Sequence, residues 1–320
     1  MTTITGKKIG VTGFGLMGLT WRPTPTPTEE AIKVMKAALE AGANFWNAGE
    51  LYGTPEYNSL HLLHAYFTKY PADAEKVVLS IKGGLKPGAL APDGSEQNVR
   101  RSVDECLRVL DGTKFIDIFE CARVDPKVPL ETNIEVLASY VKEGTIGGIG
   151  LSEVEADHIR RASKVHKIAA VEVELSLFST DILENGVAAT CAELAIPVVG
   201  YSPLSRGLLT GQVTSTADIP EGDFRRHLPR FQNETLEKNL ILVREVQSVA
   251  QKKGCTPGQI AIAWVRGLNG LPGMPEVVPI PGATTVGRVS ENMTVVTLSA
   301  QEMEHLQQLV SKHVVAGGRY

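Results

Sequence analysis

Cysteine is scarce: the 320 residues hold four, Cys106, Cys121, Cys191 and Cys255, none in a C-x-x-C spacing. That pattern argues against a disulfide framework or a zinc knuckle and leaves reduced, mostly buried thiols as the expectation. No uninterrupted apolar run approaches the roughly 18 residues of a membrane span. Met1 to Lys8 also has no apolar h-region, so a cytoplasmic chain is expected. Charge of one sign is missing too. The formal net charge is only -4, so neither nucleic acid nor an anionic membrane surface is an expected partner. What the chain does have is 43% hydrophobic and 21% charged residues, the balance of a soluble globule with ample apolar surface to bury.

At roughly 150 residues per domain the length suggests two domains, but one α/β barrel with insertions fits equally well. Apolar runs of strand length alternate with segments of helical periodicity from Gly13 to about Val310. Strands are read at Gly15 to Leu19, Asn44 to Trp46, Val77 to Ile81, Phe115 to Phe119, Ile146 to Leu151, Ala169 to Val173, Pro197 to Tyr201 and Val277 to Ile280. Thr26-Pro27-Thr28-Glu29 and Thr256-Pro257-Gly258-Gln259 each read as a capping box with proline at the first helical position. Helices are also expected from Ser95 to Gly112, from Glu131 to Gly144, from Val154, and around Val187 to Leu194. No linker divides the chain, because the one long irregular stretch, Gly211 to about Thr235, sits inside the alternation. The pattern predicts a single (β/α)8 barrel over residues 1–320 rather than a doubly wound sheet.

Gly13-Phe-Gly15-Leu-Met-Gly18 matches the G-x-G-x-x-G dinucleotide fingerprint letter for letter. The fingerprint needs a helix opening at its third glycine, yet Leu19 to Pro27 follows with three prolines. The glycines read better as places where neighbouring backbone or a ligand comes close.

Ligands of such barrels sit at the C-terminal strand ends. The second strand run ends in Asn47-Ala-Gly-Glu-Leu-Tyr52-Gly53 and the third in Lys82. A lysine closing a buried strand is costly unless paired or used. Tyr52 beside Lys82 would make a proton-donating pair, because an ammonium stabilises the phenolate left behind. The alternative is a Tyr packed at the rim and a Lys whose head reaches solvent. His61 and His64, one helical turn apart on an apolar helix without a carboxylate, read as packing or surface residues, and no metal is expected.

Asn44-Phe-Trp-Asn47-Ala-Gly-Glu-Leu-Tyr52-Gly53 resembles the second strand of the aldo-keto reductases. The similarity continues through Gly13 to Gly18, Val78 to Lys82, Ile149 to Glu153, Tyr201 to Gly211, Thr256 to Trp264, Ile280 to Ala283 and Glu291-Asn292. It implies a (β/α)8 barrel with an N-terminal β-hairpin that binds NADPH without a Rossmann domain and reduces carbonyls by hydride transfer. The family's catalytic tetrad is Asp, Tyr, Lys and His. Here Asn47 stands at the Asp position and Ala122 at the His position, leaving Tyr52 and Lys82.

Asn47 is expected to orient Lys82 by accepting a hydrogen bond from its ammonium, and a lysine without its anion should titrate lower. Ala122 opens room for a bulkier ring. Glu120, on the same side, is either a buried protonated donor or a structural partner. The altered motifs resemble the pyridoxal reductase branch, which reduces the pyridoxal aldehyde to pyridoxine. In that reading Trp21, Trp46 and Tyr52 form stacking walls and Glu120, Ala122 and Arg123 line the substrate pocket, whereas Trp264 is core.

For the cofactor, the resemblance assigns Ser152, Glu153 and Glu172 to the carboxamide and Tyr201 to the nicotinamide face. Ser202, Leu204, Ser205 and Arg206 would follow the pyrophosphate. Gly282, Thr284, Arg288, Glu291 and Asn292 would hold the adenosine end, with Arg288 on the 2′-phosphate and Thr284 or Thr285 standing in for absent Lys and Ser side chains. The arginine-rich Asp223 to Phe231 segment either folds over the pyrophosphate or forms a solvated crossover. Two other functions stay open: a broad-specificity aldehyde reductase, and a weakly catalytic NADPH-binding sensor subunit.

Overall fold

The structure, a computed structural model, describes residues 2–320. A two-stranded hairpin comes first, β1 (Thr3–Ile4) and β2 (Lys7–Lys8), joined through Thr5 and Gly6, both at positive φ. Eight parallel strands follow: β3 (Phe14–Gly15), β4 (Phe45–Gly49), β5 (Val78–Gly83), β6 (Ile118–Cys121), β7 (Ile149–Ser152), β8 (Ile168–Glu174), β9 (Val198–Tyr201) and β10 (Val277–Ile280), paired in sequence order. Gly13 N donates to Pro279 O at 2.9 Å and Gly15 bridges Gly282, which closes the barrel. A Cβ on Gly13 would lie 2.7 Å from Phe45 O, so the glycines of the false fingerprint permit close backbone approach at the seam.

The helices are α1 (Met17–Thr20), α2 (Thr28–Glu40), α3 (Ser59–Lys69), α4 (Glu96–Leu110), α5 (Leu130–Lys142), α6 (Ala156–Val165), α7 (Val187–Glu193), α8 (Asn233–Lys253), α9 (Pro257–Gly267), α10 (Val286–Met293) and α11 (Ala300–Lys312). The Thr256 capping box forms as its sequence predicts, and Ser95 caps α4 by accepting from Asn98 N. Two expectations are corrected. The first strand stops at Gly15, because Leu16 N turns to bond Asn47 O and Met17–Thr20 coils into α1. The second helix begins at Thr28 rather than Pro27, since Pro27 is itself the extended N-cap at ψ 137° and no Thr26 cap bond forms.

Strand alternation divides the interior from the shell. Phe45, Val78, Ile118, Ala170, Val199, Val278 and Ile280 fill the barrel with Ile4 and Ile9 of the hairpin region beneath them. Lys7 and Lys114 both pair with buried Asp117, at 2.9 and 2.6 Å, which pins the hairpin to the barrel. Residues one position along, such as Trp46, Leu79, Phe119 and Val171, face the helices instead.

Candidate active site

At the C-terminal strand ends the inward positions become polar: Asn47 on β4, Lys82 on β5, Glu120 on β6, Ser152 on β7 and Glu172 on β8 are all at most 4% exposed. Lys82 and Glu120 are register partners on adjacent strands, and their charged atoms lie 3.3 Å apart. Lys82 Nζ also donates to Glu172 Oε1, while Asn47 Nδ2 donates to Glu172 Oε2 at 2.6 Å and to Glu120 Oε1 at 3.4 Å.

This overturns two expectations. Asn47 accepts nothing from the ammonium; it braces the carboxylates that hold it. Lys82 does not titrate low: burial alone would push it down, but Glu120 and Glu172 outweigh burial and hold it above the ordinary ammonium range. Glu172 accepts from Lys82 with one oxygen and from Asn47 with the other, so its carboxylate is engaged within the protein.

Tyr52 follows β4 in a tight turn, with its N–H on Gly49 O at 3.1 Å and its own carbonyl accepting from Thr20 Oγ1 at 2.6 Å. A Cβ on Gly49 would press the Tyr52 ring at 3.2 Å, so glycine there lets the ring fold back over the strand. Burial pushes the phenol up to about 12, against the pull of Lys82, so Tyr52 is protonated at neutral pH. Trp21, delivered by α1, stacks on Tyr52 with centroids 5.8 Å apart and planes at 25°.

The structure takes Trp46 out of the pocket. It faces the helices, fully buried against Phe14, Tyr66 and Phe67, and its indole donates to Ala43 O at 2.7 Å. The cause is alternation, since Asn47 points in. Trp264 is core as expected. His61 Nδ1 accepts from Asn58 N at the start of α3, and His64 Nδ1 lies 3.2 Å from Leu110 O, which gives both rings structural contacts. Ala122 is buried beside Arg123, whose guanidinium donates to Ala122 O at 2.6 Å.

Around this centre run the residues assigned to the cofactor. Ser152 Oγ is buried without a hydrogen-bond partner, an orphan that a bound carboxamide would satisfy. Glu153, Ser202, Ser205 and Arg206 are four of the non-glycine residues at positive φ (52°, 51°, 48° and 56°), backbone strain gathered on the loops after β7 and β9. The Leu204 carbonyl accepts from Gly207 and Leu209 N–H groups inside that turn. The arginine-rich segment packs against it, with Arg225 Nη1 donating to Arg206 O at 3.0 Å. At the other end Thr284 approaches Gly18, Asn292 Nδ2 donates to Gly282 O at 3.3 Å and Glu291 accepts from Thr256 Oγ1. Arg288 is exposed, its guanidinium 3.4 Å from Gln212.

Residues 316–320 cross the mouth, an arrangement absent from the sequence reading. Asn239 brackets Ala316 with two hydrogen bonds, Arg319 pairs with Glu153 at 2.9 Å, and the hydroxyls of Tyr320 and Tyr201 meet at 2.8 Å. Arg123 donates to the Tyr320 hydroxyl, and the Arg206 guanidinium lies over its ring at 4.8 Å.

The sequence model of the Aldo/keto reductase family matches residues 12–311. The chain belongs to that family. It is therefore an oxidoreductase that acts on aldehydes, in a family that uses nicotinamide cofactors. A probable pyridoxal reductase of Schizosaccharomyces pombe is 43% identical over all of this chain and 97% of its own length. A Saccharomyces cerevisiae protein to which pyridoxal reductase activity is provisionally assigned is 42% identical over 97% of this chain and 95% of its own. Among solved structures, the glycerol dehydrogenase of Gluconobacter oxydans superposes with a TM-score of 0.84 at 22% identity, covering 99% of this chain and 96% of its own, a likeness of fold. No helix among the described residues is long and apolar enough to cross a membrane.

Proposed function

We propose that this aldo/keto reductase reduces the aldehyde of pyridoxal to the alcohol pyridoxine with NADPH. The observation that carries the chemistry is the buried Tyr52, stacked on the Trp21 ring, at a barrel mouth where the buried Lys82 ammonium is paired with Glu120 and Glu172. The bound dinucleotide supplies the hydride. Tyr52 Oη gives its proton to the carbonyl oxygen as charge develops there, and the Lys82 ammonium stabilises the phenolate that remains. Tyr201 and Ser152 hold the nicotinamide end, Ser202, Leu204, Ser205 and Arg206 the pyrophosphate, and Gly282, Thr284, Arg288, Glu291 and Asn292 the adenosine phosphate end.

The choice of aldehyde rests on the flat wall that Trp21 presents, the small side chain of Ala122 where the family has a histidine, and Arg123 next to it. A hydroxylated pyridine is flat and carries acidic oxygen that a guanidinium can grip. The two yeast relatives support the same substrate. We also read residues 1–320 as one unit working in the cytoplasm, a setting that suits its four free cysteines. Steady-state comparison of pyridoxal with benzaldehyde, with NADPH as reductant, tests the assignment. A kcat/KM at least about tenfold higher for pyridoxal supports it, and equal values point to broad aldehyde specificity.

A further inference from the structure

Lys82 is buried with two carboxylates where one would balance its charge. Glu120 and Glu172 are 1% and 2% exposed, and Lys82 is the one cation paired with either among the described residues. The two carboxyl groups converge on the same two partners, Lys82 Nζ and Asn47 Nδ2, so one buried cation faces two acids. Around them lie Asn47 from β4, Gly150 from β7, the Tyr201 ring from β9, 5.5 Å from Lys82 Nζ, and the Tyr52 phenol. None of these groups brings a second positive charge. A second buried anion without a counter-ion neutralises instead of staying ionised.

We propose that Glu120 and Glu172 share one proton at neutral pH and act together as the single counter-anion that positions Lys82 beneath Tyr52. The charge resides mainly on Glu172, which touches both Lys82 and Asn47 Nδ2. Burial, reinforced by Glu172, pushes the Glu120 carboxyl well above the usual carboxylate range. Both glutamates are positioning residues; neither needs to touch substrate. The functional consequence rests on the reading of Tyr52 as proton donor. When the shared proton leaves at high pH, a second negative charge appears beside Tyr52, makes the phenol a poorer acid and slows reduction.

Infrared spectroscopy of the unliganded protein tests this without turnover. A protonated carboxyl C=O stretch that shifts in D2O is expected at neutral pH and should vanish in Glu120→Gln, because the remaining carboxylate then pairs with Lys82 alone. The pH profile supplies the second readout. In Glu120→Gln the high-pH limb of kcat/KM should move up by at least about one pH unit. Each single Gln variant should lower kcat/KM roughly fivefold, and Glu120→Gln/Glu172→Gln by more than about 200-fold, beyond the product of the singles, because only the double variant strips Lys82 of its anion. Circular dichroism of each variant checks the fold. A wild-type spectrum without the band, an unchanged band in Glu120→Gln, or a single variant as damaged as the double would overturn the proposal. If no aldehyde is reduced at all, the infrared result still decides the protonation of the pair.

Discussion

Lys82 and Glu172 form an ion pair inside the barrel, with side chains only 5% and 2% exposed, and Asn47 braces the carboxylate from the far side at 2.6 Å. The anion that the family carries on its second strand has thus crossed to β8. Position 47 keeps the geometry and gives up the charge. Breaking a buried pair by removing one partner costs about 3–5 kcal/mol in general, so Lys82→Met tests chemistry less cleanly than substitutions at the rim.

Trp21 should matter for flat substrates. An aromatic stack is worth about 0.5–1.5 kcal/mol beyond burial, so Trp21→Ala should raise KM for aromatic aldehydes by roughly twofold to tenfold. Short aliphatic aldehydes, measured in parallel, should show little change.

Arg288 should set the choice between dinucleotides. It is exposed, and among the described residues its side chain is held only by the 3.4 Å contact to Gln212, leaving it available to a 2′-phosphate. A charge-assisted hydrogen bond contributes about 1.5–3 kcal/mol, so Arg288→Ala should weaken NADPH binding by roughly 10- to 100-fold and leave NADH nearly unchanged. Fluorescence titration with both dinucleotides reads this directly.

Tyr320 and Arg319 contact Tyr201 and Glu153, the residues that the family resemblance proposes for the nicotinamide end, so on that proposal the tail competes with the cofactor. Deleting both residues should tighten NADPH binding by about fivefold to twentyfold, the range of a partly exposed ion pair plus one hydrogen bond. Weaker binding after deletion would mean that the tail holds the cofactor instead.

Asp73 should govern acid stability away from the site. Its buried carboxylate meets Lys36, Lys76 and the Tyr66 hydroxyl at 2.8, 2.8 and 2.9 Å. Burial opposes ionisation, but these partners win and depress the group from 3.8 to about 2. A depressed carboxylate stabilises the fold above its unfolded value and loses that contribution as pH falls from about 4 to about 2. Asp73→Asn should cost about 2 kcal/mol at pH 7 and little near pH 2, by denaturant unfolding at both.

Much of the barrel was legible because buried parallel strands and amphipathic helices leave different periods, and seven of the eight strand readings overlap observed strands, those from Phe115 and Ile146 beginning ahead of the observed Ile118 and Ile149. The first did not, since Gly15 to Leu19 is apolar throughout and only the turn at Leu16 separates strand from helix. Asn47 and Lys82 were legible at strand ends and Glu120 by alternation, whereas Glu172 was reached only through the family resemblance, as a cofactor ligand. Trp46 was misplaced although the same alternation, applied to its neighbour Asn47, turns it outward. The tail was out of reach: Ala316-Gly-Gly-Arg-Tyr320 carries no period, and Tyr320 meets Arg123 across 197 positions. The second carboxylate partner of Lys82 was hidden for a similar reason, because Glu172 lies 90 positions away and closes on it only when the barrel forms.

The most direct test of the account is oxidation of NADPH, followed by absorbance, with pyridoxal as substrate and Tyr52→Phe as the control. Rapid turnover by the wild-type protein, falling by about 100- to 10,000-fold in Tyr52→Phe while NADPH still quenches protein fluorescence, is the predicted result. Turnover that survives in Tyr52→Phe, or NADPH binding without reduction of any aldehyde by the wild type, would contradict it.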